Sequence, residues 1–361
     1  MDSRNFSAGP GALPAGVLAQ VQAAVGQVPE VGLSLLGISH RSDWFRAVVR
    51  ETERNIRELL GLPDSYAVLF LQGGASLQFA MIPMLLLRGR HKTAEYLRTG
   101  YWSAKAVAEA RIEGDVRVLW DGETEGYRRL PKADELSCSP QAAYLHYASN
   151  ETVEGTQFHG VPGRDDVLRV CDMSSDFLSR PIDVDKYDLI YAHAQKNLGP
   201  AGVTVVILRR ELLQDVPTGI PAILDYRSHL AAESIYNTPP VFAIYVALLV
   251  TRWLRDDIGG LTAMAGINAA KARCLYDVID QDPTFYQGRA AREDRSLMNV
   301  VFSLPSFELE TDFLHRATQE GFAGLEGHRS LGGLRASLYN AVTLPAVEDL
   351  AQLMREFRRR A

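Results

Sequence analysis

Residues 189–208 read Leu189-Ile190-Tyr191-Ala192-His193-Ala194-Gln195-Lys196-Asn197-Leu198-Gly199-Pro200-Ala201-Gly202-Val203-Thr204-Val205-Val206-Ile207-Leu208. Two short apolar runs, Leu189–Tyr191 and Val203–Leu208, flank a turn that carries one lysine. The second run is the most β-branched of the chain and reads as a buried strand. Runs of the same kind recur at Tyr66–Leu71, Thr93–Leu97, Val116–Trp120, Ala143–Tyr147 and Val167–Cys171. Helical patterns lie between several of them, one running on from Ser76 and another over Ser103–Ile112. Strands that alternate with helices predict an α/β fold whose mostly parallel sheet is covered on both faces.

The flanks are helical. Pro14 starts a helix with Val17, Leu18, Val21 and Val25 on one face. Ser42 reads as the N-cap of a second helix bearing Phe45, Val48, Val49, Ile56, Leu59 and Leu60, which Gly61 stops. After Pro239-Pro240 a long helix runs through Trp253 to Gly259-Gly260. The chain then changes character. A helix, a strand at Met298–Leu304, a helix at Thr311–Glu320, a strand near Arg335–Tyr339 and a helix at Leu344–Arg359 form a smaller α/β unit. The division expected is an N-terminal segment (1–16), a large domain (17–258) and a small C-terminal domain (259–361).

Composition narrows the class. The 361 residues are 47% hydrophobic and 23% charged, which excludes a disordered or fibrous protein. A net charge of −6 argues against a nucleic-acid partner and leaves room for a local basic pocket. The longest apolar run, Val241–Val250, is half a membrane span, so it reads as a buried helix and no membrane partner is expected. Cys138, Cys171 and Cys274 are too scattered for a disulfide framework or a zinc ribbon and suit a reducing compartment. Met1-Asp2-Ser3-Arg4-Asn5 has no secretory character. The expectation is a cytoplasmic protein without a metal.

Three segments carry chemistry. Gln72-Gly73-Gly74-Ala75-Ser76 follows a strand and opens a helix, so its backbone N–H groups suit an anion, or merely a tight turn. Lys196, between two buried strands, either snorkels to solvent or forms an imine with an aldehyde. Asp172, in Val170-Cys171-Asp172-Met173-Ser174-Ser175, stands at a strand's carboxyl end, where open α/β sheets bind ligands. It either caps the segment after it or holds a protonated heterocycle nitrogen. A lysine, an aspartate one β-unit before it and a phosphate cup together form the set that pyridoxal 5′-phosphate needs. Tyr101-Trp102 suits stacking on a pyridine ring or core packing, and Thr152 a bond to a ring hydroxyl or a loop role. Asn237-Thr238 suits a helix cap or a phosphate contact. His40-Arg41, His328-Arg329 and Arg335 offer forked donors for a substrate with two anionic ends.

These residues resemble the class V pyridoxal-phosphate aminotransferases and, within them, the phosphoserine aminotransferase family. The resemblance spans nearly the whole chain. It includes Asn5-Phe6-Ser7-Ala8-Gly9-Pro10, Ser39-His40-Arg41-Ser42, Gln72 through Phe79, Gly100-Tyr101-Trp102, Asp172 through Ser175, Ala194 through Pro200, Tyr236 through Pro240, and Gly327-His328-Arg329 through Arg335-Ala336-Ser337. It implies fold type I, the aspartate-aminotransferase-like fold, with a mainly parallel seven-stranded sheet and a small C-terminal α/β domain. It implies that Lys196 forms the imine with the cofactor and moves the proton. Asp172 pairs with the pyridine nitrogen, Trp102 stacks on the ring and Thr152 bonds its phenolic oxygen. Ala75, Ser76 and Gln195 hold the phosphate, joined by Asn237 and Thr238 of the second subunit of a homodimer. His328, Arg329 and Arg335 meet the substrate, with His40 and Arg41 from across the dimer. The implied reaction exchanges an amino group between L-glutamate and 3-phosphohydroxypyruvate in serine biosynthesis. Bacterial members also use a phosphorylated four-carbon analogue in pyridoxine synthesis. Some members carry Arg at position 76 and Ser at position 8, where this chain has Ser76 and Ala8. Cysteine desulfurases share the fold but need a nucleophilic cysteine on a mobile loop, and no cysteine stands there. A nicotinamide dehydrogenase would need a G-x-G-x-x-G turn, which is missing. A non-catalytic phosphate binder is the third alternative.

Overall fold

The computed structural model describes residues 4–361, so residues 1–3 of the N-terminal segment lie outside the described residues. The first elements are α1 (Ala15–Gly26), α2 (Asp43–Leu60), β1 (Tyr66–Leu71), α3 (Gly74–Leu86), β2 (Thr93–Arg98), α4 (Tyr101–Glu113) and β3 (Asp115–Asp121). Next come β4 (Leu145–Ala148), the two-residue strands β5 (Asn150–Glu151) and β6 (Thr156–Gln157), β7 (Arg169–Asp172), β8 (Leu189–His193) and β9 (Thr204–Arg209). Helices α5 (Tyr226–Ala231), α6 (Val241–Arg252) and α7 (Leu261–Gln281) come after these strands. The chain closes with β10 (Gln287–Gly288), β11 (Asn299–Ser303), α8 (Phe307–Gln319), β12 (Leu334–Ser337) and α9 (Leu344–Arg360).

Seven strands form the large sheet in the order β1-β9-β8-β7-β4-β2-β3. Strands β2, β3, β4, β7 and β8 are parallel, whereas β9 runs antiparallel to both β8 and β1. Connection length explains the reversal. The link from β8 to β9 is too short for a crossover, which needs a dozen or more residues, so the chain turns back beside itself. Lys196 sits in that turn. Both faces of the sheet are buried. In β9, Val205 and Ile207 join a core with α2 and α6, while Val206 and Leu208 join the core under α3 and α4. At about 25 cal/mol per Å² of apolar surface, such two-sided burial is the main force holding the sheet.

The smaller sheet, β10-β11-β12, is antiparallel and packs with α7, α8 and α9 around Leu275, Val300, Phe302, Phe313, Leu350 and Met354. Helix α7 spans both units: Leu261 and Met264 belong to the large core, Leu275 and Ile279 to the small one. The N-terminal segment ties in through Phe6, which packs in the small core, and through Gly11 N–H, which donates to the Gln195 carbonyl at 2.8 Å. We propose 259–361 as the small domain, with the start of α7 still packed on the large core. Among the described residues no helix is long and apolar enough to cross a membrane.

Caps follow the sequence in places. The Ser42 hydroxyl accepts from Phe45 N–H at 3.2 Å, and Gly61 closes α2 with φ 65°. Three readings need correction. Ala24, not Val25, is buried on α1, because positions 17, 21 and 24 share a stripe while 25 turns outward. Helix α8 starts at Phe307, since the Ser306 hydroxyl accepts from Leu309 N–H and nucleates it four residues early. Asn237 and Thr238 do not cap α6, whose N-cap is Pro240.

Lys271 of α7 is fully buried and donates to the carbonyls of Leu338, Tyr339 and Val342 at 2.9, 2.8 and 3.0 Å. Burial pushes its ammonium down to about 7. Lys271→Met should lower the unfolding free energy by about 3 kcal/mol, roughly 1 for each carbonyl left unpaired. Urea unfolding of the two proteins measures it, and equal midpoints would contradict the assignment.

Candidate active site

The parallel strands β4, β7 and β8 end on one edge of the large sheet, and a cavity of about 200 Å³ opens there. Ala75, Ser76, Trp102, Thr152, Asp172, Gln195 and Lys196 all line it.

Lys196 does not snorkel to solvent. It is 9% exposed, and its Nζ donates to Thr152 Oγ1 at 2.6 Å and lies 3.5 Å from Ser175 Oγ. Its neighbour Asn197 fixes the turn. Asn197 Nδ2 donates to the Ser175 carbonyl at 2.9 Å, and Asn197 Oδ1 accepts from Asn340 N–H at 2.9 Å. Asn340 in turn bonds Leu178 O and Asn268, so a buried asparagine chain links the lysine turn to the smaller unit. Burial pushes the Lys196 ammonium down to about 8, Asp172 opposing the shift and Arg335 adding to it. An amine that is partly neutral near pH 7 is a competent nucleophile. Capture of pyridoxal by Lys196 in cofactor-free protein should therefore rise with pH and level off above about 8. Borohydride trapping and mass spectrometry read this directly. A rise continuing to about 10, as for an ordinary lysine, would contradict it.

Asp172 ends β7, buried, with Oδ1 accepting from Ser174 N–H at 2.8 Å. Burial raises its pKa, against the Ser174 hydrogen bonds and the Lys196 charge. A carboxylate held this way gains from a cationic N–H partner in the cavity.

The floor of the cavity is a helix start. Gly73 and Gly74 have φ of 88° and 70°, left-handed values that favour glycine. They release the chain from β1 into α3, whose first turn, with Ala75 and Ser76, has free N–H groups for an anion.

Trp102 lies in the first turn of α4, which two buried carboxylates hold. Glu154 Oε1 accepts from Tyr101 N–H at 2.9 Å, and Glu151 Oε1 accepts from Thr99 Oγ1 at 3.0 Å. Burial raises both pKa values, Glu154 to about 8 with the Glu151 charge adding to it. These glutamates flank Thr152, so one loop positions both the hydroxyl on Lys196 and the indole. The Lys105 ammonium lies 5.4 Å from the Trp102 ring centre.

Arg335 is half-buried beside the cavity, with Nη1 donating to the Thr152 carbonyl at 3.3 Å. Its Nε has no hydrogen-bond partner among the described residues. His328 packs its ring 4.9 Å from Tyr101, and Lys105 and then Arg329 hold the Tyr101 hydroxyl's pKa down, so His328 and Arg329 stand at the rim. His40, Arg41, Asn237 and Thr238 do not line their own chain's cavity, and the last three are exposed. Ala8 contributes its carbonyl, which accepts from the Tyr339 hydroxyl at 2.7 Å. Cys171 is fully buried within β7, and burial pushes its thiol well up, which removes it as a nucleophile.

Sequence reasoning missed His193, Ser175 and the two glutamates. Ser175 belongs to the same short motif as Asp172. His193 ends the strand that leads into the lysine turn, which was its one signal.

The class-V aminotransferase family matches residues 4–350. The chain is 51% identical to phosphoserine aminotransferase of Rhodopirellula baltica over 98% of this chain and 94% of that protein. It is 50% identical to that of Geobacillus kaustophilus over 99% and 98%. Its fold is similar to phosphoserine aminotransferase from Bacillus circulans subsp. alkalophilus, with TM-score 0.95, 47% identity and 98% of both chains covered. It is also similar to the pyridoxal-phosphate-bound enzyme of Trichomonas vaginalis, with TM-score 0.91, 38% identity, and 98% and 99% covered.

Proposed function

The chain belongs to the class-V aminotransferases and works as a phosphoserine aminotransferase with pyridoxal 5′-phosphate, and from that premise we propose how its own residues divide the work. The carrying observation is a buried, weakly basic Lys196 facing Asp172 across a cavity floored by a helix N-terminus.

The residues fit the cofactor. The glycine-opened turn before Ala75 and Ser76 takes the phosphate, with Gln195 beside it. Asp172 takes the pyridine nitrogen, Trp102 the ring face, Thr152 the phenolic oxygen and Lys196 the aldehyde. When bound, the cofactor supplies an electron sink for the electrons released at the substrate's Cα. Lys196 is the base that takes the Cα proton and the acid that returns it. Its partners Thr152 and Ser175 keep the amine aimed as it changes protonation. Asp172 stays anionic against the protonated ring nitrogen.

Amino transfer from L-glutamate to 3-phosphohydroxypyruvate gives phosphoserine and 2-oxoglutarate in two alternating half-reactions through one site. Each substrate has an α-carboxylate and a distal anion. Arg335, close to Lys196 and with an unpaired Nε, takes the α-carboxylate in its fork. His328 and Arg329 form the distal site together with His40 and Arg41 of the second subunit. Asn237 and Thr238 reach the second subunit's phosphate cup. Their exposure in one chain supports this homodimer. The phosphorylated four-carbon analogue carries the same two anionic ends and suits the same donors, and a biosynthetic role suits the cytoplasm.

An assay of amino transfer from glutamate to 3-phosphohydroxypyruvate tests the reading, and an inert holoenzyme would refute it. The dimer has its own test. Lys196→Ala and Arg41→Leu subunits, each inactive alone, should regain activity when mixed, because one site of the hybrid then holds both groups. Verified subunit exchange without recovery would place Arg41 outside the neighbouring site.

A further inference from the structure

His193 is a cavity residue that the assignments above do not use. It ends β8 on the same sheet edge as Asp172, and lines the cavity together with Gly74, Ala75 and Ser76. The imidazole lies against the opening of α3: a Cβ built on Gly74 would stand 3.8 Å from both its Cε1 and its Nδ1. The ring is held in place. Its Nδ1 is 3.2 Å from Thr204 Oγ1 on β9, and its backbone N–H donates to Ser174 Oγ at 3.2 Å. The side chain is half-buried, open toward the cavity.

We propose that His193 is a phosphate ligand of the cofactor, standing beside the first turn of α3 and donating an imidazole N–H to the phosphate dianion. The proposal rests on the pyridoxal-phosphate reading of the site. Charge supports it. Burial and then Lys196 disfavour the imidazolium, while hydrogen bonds with Gln195 and Val203 favour it. Lys196 and Asp172 are the charged groups of the cavity lining. A dianion in the cup adds a strong preference for the charged ring, so His193 takes up a proton as the phosphate arrives.

The test compares His193→Gln with wild type, using pyridoxal 5′-phosphate and phosphate-free pyridoxal as probes of the cofactor-free protein. Binding of pyridoxal 5′-phosphate should weaken about tenfold or more, while pyridoxal binding should change little. Because capture at Lys196 raises the affinity for both probes with pH, the readout is their ratio: the wild-type preference for the phosphorylated probe over pyridoxal should fall as pH rises between about 6 and 8, and the variant should lose this slope. His193→Asn serves as a second variant if the first does not fold. Equal affinities for pyridoxal 5′-phosphate, or equal losses for both probes, would overturn the proposal. Failure of the underlying reading looks different: the wild type itself would give no borohydride-trapped adduct on Lys196 with either probe.

Discussion

Lys196→Ala should leave a folded protein that still binds pyridoxal 5′-phosphate but no longer transfers amino groups. The fold survives because the two hydroxyls on Nζ already face each other, Thr152 Oγ1 lying 2.9 Å from Ser175 Oγ. Removing the amine leaves them a mutual hydrogen bond and strands no buried polar atom. Activity fails because one group does two jobs. Proton transfer by a positioned side chain is worth about 10²–10⁴-fold, and the covalent role comes on top of that. Single-turnover transfer from glutamate, with the cofactor saturating, is the measurement. A near wild-type rate would mean that another amine serves the site.

Asp172→Asn should cut turnover about ten- to hundredfold, the equivalent of a charge-assisted hydrogen bond worth roughly 1.5–3 kcal/mol. The amide keeps the carboxylate's shape and can still accept from Ser174 N–H, so Lys196 should remain trappable by borohydride. Stability should move the other way. Burial raises the folded pKa of Asp172, so in the cofactor-free protein its ionisation is unfavourable, increasingly so above the unfolded value of about 3.9. The cofactor-free variant should therefore be at least as stable as wild type at neutral pH. A variant that turns over normally would reduce Asp172 to a cap.

The sheet was legible because burial on both faces demands continuous apolar runs, and Tyr66–Leu71 and Val203–Leu208 have no other use. The reversal at β9 was not read, although the short link before it contains the reason. The lysine and aspartate were legible from their place at strand ends. Glu151 and Glu154 were not. A glutamate pair in a loop looks like solvated surface, and only tertiary packing shows that it holds the start of α4. His193 was hidden within an otherwise apolar strand. Arg41 and Asn237 were legible as types, but nothing in the sequence says that both lie exposed and away from their own chain's cavity.

The asparagine chain from Asn268 through Asn340 to Asn197 has a consequence for heat. The turn that aims Lys196 is pinned from the smaller unit, whose core is separate from the one behind the seven-stranded sheet. Thermal loosening of the smaller core frees Asn340, and the lysine turn loses an anchor while the large sheet still stands. Substitutions that loosen the core around Leu350 and Met354 therefore reach the lysine turn through Asn340, without touching a residue of the cavity.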